Sequence, residues 1–185
     1  MALELIALDI PDVRIVRPAR FADARGHFSE VYNRGTYGEA GITADFMQDN
    51  QSLSVPAGTV RGLHYQAPPF AQAKLVRVLR GAIIDVAVDV RRKSPTYGRW
   101  VKATLTAEGG EQLFVPAGFL HGFVTLVAET EVHYKVDAPY SKAHDGAVFW
   151  NDPDLAIDWG VDAARAVVSD KDAAAIRFRD FDSPF

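Results

Sequence analysis

Residues alternating with a period of two dominate the middle of this chain and confine it to folds built from short strands. Lys74 to Leu79 reads KLVRVL and Ile84 to Val90 reads IDVAVDV, with Gly81 between them as a turn signal. The same pattern predicts strands over Phe46 to Val55, Arg61 to Gln66, Trp100 to Thr106, Gln112 to Val115, Gly122 to Leu126 and Glu131 to Asp137. Turn clusters separate them at Pro56-Ala57-Gly58, Ala67-Pro68-Pro69, Lys93-Ser94-Pro95 and Glu108-Gly109-Gly110. Many short strands at this spacing predict an all-β sandwich or jelly-roll barrel. Helical signal is peripheral, over Arg34 to Ala40 and Lys171 to Ile176. No linker, repeat or low-complexity stretch interrupts the pattern, so residues 1–185 read as one domain.

At 185 residues such a domain buries roughly 70% of its unfolded surface. No apolar run approaches the ~18 residues of a membrane span. The first ten residues carry Glu4 and Asp9 and lack a basic region, so they make a poor signal peptide. The absence of cysteine excludes disulfides, thiol catalysis and cysteine–zinc sites, and suits a cytoplasmic protein. A net charge of −4 argues against non-specific binding of nucleic acid. An anionic ligand must therefore be held by local cations, for which Arg25, Arg61, Lys74, Arg77 and Lys171 are candidates.

Two histidines resemble, in their spacing, the metal ligands of cupin proteins, whose halves read Gly-x5-His-x-His-x3,4-Glu-x6-Gly and Gly-x5-Pro-x-Gly-x2-His-x3-Asn. The second half is present as Gly110, Pro116, Gly118 and His121, with Thr125 in place of Asn. The first begins with Gly58 and His64, then places Gln66 at the second histidine and Lys74 where a carboxylate precedes Gly81. A charged lysine has no lone pair and repels a divalent cation. The pattern implies a cupin-type jelly roll without a metal, whose pocket handles an anionic substrate or intermediate.

Alternation puts His64 and Gln66 on one face of their strand, and Lys74, Val76 and Val78 on one face of the next. An imidazole can remove a proton at neutral pH, and a neighbouring ammonium can stabilise the resulting enolate. The alternative is a structural histidine and a lysine reaching to solvent. Tyr134 could return a proton from the opposite face, or could simply pack with its hydroxyl satisfied. Asp172 could hydrogen-bond an imidazole and fix its tautomer. It could equally be the first-turn carboxylate of a helix capped by Ser169. The clusters around Arg25 and Glu30 and at Gln48-Asp49-Asn50 suit a diphosphate and sugar or base edges, or are ordinary loop polarity.

Taken together, these segments resemble the dTDP-4-dehydrorhamnose 3,5-epimerase family. The matching runs are Phe21 to Glu30 (FADARGHFSE), Gln48 to Ser52 (QDNQS), Arg61 to Gln66 (RGLHYQ), Ala71 to Arg77 (AQAKLVR) and Asp85 to Val90 (DVAVDV). Pro116 to Phe123 (PAGFLHGF), Tyr134-Lys135, Trp150 to Pro153 (WNDP) and Ser169 to Asp172 (SDKD) follow in the family's order. The RGLHYQ element followed by QAKLVR is highly specific. The resemblance implies a cofactor-free homodimer converting dTDP-4-dehydro-6-deoxy-D-glucose to dTDP-4-dehydro-L-rhamnose, a precursor of dTDP-L-rhamnose. It implies His64 as the base, Asp172 as its partner, Tyr134 as the acid and Lys74 as the enolate stabiliser. It further implies substrate contacts at Arg25, Glu30, Gln48, Asp49, Asn50, Arg61, His121, Asp145 and Lys171. The chain departs from the family at Asp145-Gly146-Ala147, where a larger residue is frequent before the glycine, and at Thr59 and Val60.

Three rivals share parts of this pattern. A relative acting only at C3 or only at C5 would use the same base and acid. A metal-dependent cupin enzyme would hold stoichiometric metal and lose activity with chelator, against which Gln66 and Lys74 count. A non-catalytic sugar-nucleotide sensor would show no turnover for a His64 substitution to remove.

Overall fold

The computed structural model describes residues 3–185. Thirteen strands run in chain order as β1 (Leu3–Ala7), β2 (Arg14–Pro18), β3 (Phe21–Asp23), β4 (Gly26–Phe28), β5 (Gln48–Ser54), β6 (Val60–Gln66) and β7 (Lys74–Arg80). They continue as β8 (Ala82–Asp89), β9 (Trp100–Thr106), β10 (Gln112–Val115), β11 (Phe119–Thr125), β12 (Thr130–Val136) and β13 (Asp145–Ala147). Two short helices, α1 (Arg34–Glu39) and α2 (Asp170–Ala173), lie at the positions expected, α2 ending three residues early. The chain leaves α2 so that Ile176 can bridge in parallel to Val148. No strand is expected before Phe46 or after Asp137, yet β1 to β4 and β13 are formed. The five are three to five residues long, too short to express a clear period.

The strands form a six-stranded sheet in the order β1-β2-β10-β7-β12-β5 and a five-stranded sheet in the order β13-β6-β11-β8-β9, with β3 and β4 as a separate hairpin. The two larger sheets face each other as a jelly roll, the fold class expected. Gly81, at φ +83°, turns the chain from β7 in the first sheet to β8 in the second. Between the sheets lie Val76, Val78, Ile83, Ala87, Leu113, Phe119, Phe123 and Val132.

The outer faces are covered as well, which explains why β7 and β8 carry apolar residues such as Leu75, Val86 and Val88 on their outward phase too. Leu75 and Phe114 pack outward against Tyr37 and Ile42, from α1 and the turn after it. Val86, Val88 and Leu120 pack outward under the C-terminal segment, through Trp150, Leu155, Trp159 and Phe181. The indoles there are satisfied by carbonyls, Trp159 Nε1 donating to Trp150 at 3.0 Å and Trp100 Nε1 to Leu155 at 3.0 Å. By this coverage the C-terminal segment is fixed across the second sheet, beside β6.

A bulge in β6 matters most to the site. Across the β6–β11 pair His121 lies opposite His64 and Phe123 opposite Arg61, so three steps on β6 match two on β11. The backbones touch at this point: a Cβ on Gly62, at φ +136°, would lie 2.5 Å from Gly122 Cα. Gly62→Ala is therefore expected to lower the stability of the fold by about 2 kcal/mol or more, measured by urea unfolding. A change below a few tenths would show that the strands separate there without cost.

Candidate active site

The residues that the bulge and the pleat aim inward meet at one end of the space between the sheets. A cavity of about 420 Å³ is lined there by Ser52, Arg61, His64, Lys74, His121, Phe123, Tyr134, Lys171 and Asp172, with Thr59, Val60 and Val167 to Ser169 at its rim. Its size suits a small-molecule ligand. His64 and His121 come from the second sheet; Lys74 and Tyr134 come from the first. A ligand between the sheets is thus approached by the imidazoles from one side and by the phenol and ammonium from the other.

His64 Nε2 lies 2.7 Å from Asp172 Oδ1. A carboxylate oxygen accepts, so Nε2 carries the hydrogen and the basic lone pair is on Nδ1. Asp172 Oδ2 accepts the backbone N–H of Gly62 at 3.2 Å, and Ser169 Oγ accepts the backbone N–H of Asp172 at 3.2 Å. Both readings of Asp172 therefore hold at once: it is a first-turn residue capped by Ser169, and that helical turn fixes it against His64. Burial alone would push its carboxyl up. The His64 hydrogen bond, the Gly62 N–H and the Lys171 charge outweigh burial and hold it below the usual carboxylate range.

Lys74 Nζ sits 6.0 Å from the centre of the Tyr134 ring. Desolvation by the surrounding protein lowers the Lys74 pKa to about 8, with Asp85 and then Asp145 opposing the fall. Burial raises the Tyr134 phenol, Arg61 pulling the other way, so it remains protonated and able to donate. Arg61 is held by Ser54 Oγ and the Leu53 carbonyl, each accepting at 3.1 Å. Gln66, at the position of a cupin's second histidine, donates to the carbonyls of Phe70 and Pro139 and accepts from Ser141 N–H. It ties loops together and does not line the cavity. Among the described residues no three His, Asp or Glu converge as metal ligands would.

The remaining expected contacts divide. Lys171 reaches the cavity and is paired with Asp145, which raises its pKa and keeps it cationic. Asp145 itself lies outside the lining. Gln48 and Asn50 share the face of β5 that carries Ser52, and Gln48 Nε2 donates to Asn50 Oδ1 at 2.8 Å, but neither lines the cavity. Asp49 lies on the opposite face, paired with Lys135 at 2.7 Å beside Arg77 and His133, in a second cavity of about 300 Å³. Arg25 and Glu30 do not reach the His64 cavity. Arg25 pairs with Asp23 at the tip of the β3–β4 hairpin, and Glu30 accepts from Asn33 just beyond it. Two residues given no role in the sequence reading emerge. Ser52 presents a buried hydroxyl without a partner in the cavity wall. Asp85 lies beneath His121, its Oδ1 2.5 Å from Nε2; an acid between Ile83 and Ala87 on the inward phase of β8 is the signal that marks it, one it shares with Asp89.

Comparison with known proteins agrees with this fold. Residues 7–180 match the family model for dTDP-4-dehydrorhamnose 3,5-epimerase. A protein of that name from Sinorhizobium fredii is 52% identical over 168 residues, covering 91% of this chain and 86% of the relative. The crystal structure of dTDP-4-dehydrorhamnose 3,5-epimerase from Bacillus anthracis with TDP and pyrophosphate bound is 47% identical with a TM-score of 0.92, covering 96% of this chain and 100% of that one. The structure of dTDP-6-deoxy-D-glucose-3,5-epimerase from Legionella pneumophila in complex with dTDP-4-keto-L-rhamnose is 41% identical with a TM-score of 0.93, covering 98% and 95%. Matched by the family model over residues 7–180 and sharing 52% identity with one relative and a jelly-roll fold with the solved structures, the chain belongs to the dTDP-4-dehydrorhamnose 3,5-epimerase family of isomerases.

Proposed function

We propose that this protein inverts C3 and C5 of dTDP-4-dehydro-6-deoxy-D-glucose to give dTDP-4-dehydro-L-rhamnose, without a cofactor. The observation that carries the reading is the arrival of His64, paired with Asp172, and Tyr134 at one cavity from opposite sheets. Both reacting carbons flank the C4 ketone, so the hydrogen on each is acidified by the same carbonyl. His64 Nδ1 takes the proton, the electron pair moves into an enolate, and the Lys74 ammonium stabilises the C4 oxygen. Tyr134 then donates its phenolic proton to the other face of the carbon. Solvent takes the proton from His64 and restores the one lost by Tyr134, so the cycle closes with no net redox change. Arg61 and Lys171 are the cations placed to meet the diphosphate.

The protein works, in this reading, as a single domain in a cytoplasmic homodimer. Arg25 and Glu30 lie outside their own cavity, on and just beyond a hairpin whose Phe21 and Phe28 are 51% and 66% exposed. A second copy gives that hairpin a surface to cover and a site to complete. Among the described residues no helix is long and apolar enough to cross a membrane.

The test is turnover of dTDP-4-dehydro-6-deoxyglucose in D2O followed by proton NMR. Deuterium is expected at both C3 and C5 with inversion at each. Deuterium at one carbon alone would assign the protein to the single-site epimerases.

A further inference from the structure

A second histidine–carboxylate pair stands beside the first. His121 and His64 are direct cross-strand neighbours, and each imidazole has its own aspartate, from β8 and from α2 respectively. Asp85 has no solvent exposure, and its strand neighbours on the same face are the core residues Ile83 and Ala87. Oδ1 is used by His121; Oδ2 has no hydrogen-bond partner among the described residues. A buried carboxylate oxygen left unpaired is costly, and a core position would accept an apolar side chain more cheaply. The carboxylate lies behind a cavity that Lys74 shares with its partner His121, and from there it opposes the desolvation of the ammonium.

We propose that Asp85 is a positioning residue for the reaction. By accepting the Nε2–H of His121 it leaves the Nδ1 lone pair as that ring's polar atom for a ligand, so His121 accepts a hydrogen bond from a sugar hydroxyl. Its charge also serves as the buried counter-ion of Lys74. The identity of the ligand rests on the epimerase reading; the tautomer and the counter-ion do not. Burial favours the neutral imidazole, and Lys74 and His64 reinforce it, against the pull of Asp85. The titratable groups acting around Lys74 are Asp85 on β8, His121 on β11, His64 on β6, Tyr134 on β12 and Asp145 on β13.

Two measurements test this. In unaltered protein labelled with 15N-histidine, long-range 1H–15N spectra report the tautomer of each ring, with His121 assigned by the signal lost in His121→Gln. The expected result is an Nε2–H tautomer in the ligand-free protein at neutral pH; an Nδ1–H tautomer or an imidazolium overturns the proposal. In Asp85→Asn the amide oxygen can still accept from His121 while the charge is gone. The expected results are a fall in kcat/KM of about 10- to 100-fold and an alkaline limb displaced downward by about one pH unit. A folded Asp85→Asn protein with its limb unmoved overturns the counter-ion role, because a purely structural aspartate would change only the amount of folded protein. Should that variant not fold, the tautomer decides alone. Failure of the epimerase reading looks different: unaltered protein takes no deuterium from D2O, while the His121 tautomer is still read.

Discussion

Replacing His64 by asparagine is expected to lower kcat by about 10²–10⁴-fold, with deuterium uptake at C3 and C5 falling together. Asparagine keeps a polar group of similar reach, and its amide can still donate to Asp172. What it lacks is a nitrogen that becomes cationic on taking a proton. Affinity for dTDP, measured by calorimetry, is expected to change by less than about threefold, because the loss lies in a step after binding. Exchange persisting at one carbon at the unaltered rate would mean a second base, and one imidazole could then not serve both inversions.

Lys74→Met is expected to cost about 10²–10³-fold in kcat by removing the charge that stabilises the enolate oxygen. The same substitution carries a pH signature. Desolvation holds the Lys74 pKa at about 8, and the ammonium is the useful form, so activity of unaltered protein falls as pH rises through about 8. The residual activity of Lys74→Met should lack that limb. Stability moves with the opposite sign. The folded pKa is depressed from the ordinary 10.5, so the penalty for burying the charge is full below about pH 8 and fades toward 10.5. The methionine variant should therefore unfold at a higher temperature than the parent at pH 7, and the gap should close as pH approaches 10.5. A limb unchanged in the variant would assign it to a group other than Lys74.

These expectations depend on which residues share a face, and the sequence shows much of that. Period two puts Lys74, Val76 and Val78 on one side of β7, and the cavity and core lie on that side. The same rule applied to β5 separates Asp49 from Gln48 and Asn50, so the side chains of these three adjacent residues do not share one face of the strand. The motif hides this; the pleat makes it unavoidable. The rule also marks Asp85, whose inward phase is visible from Ile83 and Ala87 alone.

Arg61 shows where alternation stops being informative. Three residues before His64, it belongs by strict alternation on the opposite face of β6. Gly62 and Leu63 absorb an extra residue against β11, and the bulge returns Arg61 to the His64 side. Nothing local to β6 requires this. The bulge depends on Gly122 of another strand offering no side chain, so that the two backbones can meet.

The strands at the centre of the chain, the shared face of Lys74, Val76 and Val78, and Ser169 as a candidate helix cap are legible in the sequence alone. Those are properties of neighbours along the chain, set by the pleat and by backbone donors that need acceptors. The His64–Asp172 pair, 108 residues apart, was decided only by the tertiary structure. It forms because the C-terminal segment buries Trp150, Trp159 and Phe181 against the outer face of the second sheet and so brings α2 beside β6. Apolar burial is non-directional and acts between any surfaces that fit, so its partners cannot be read from local spacing.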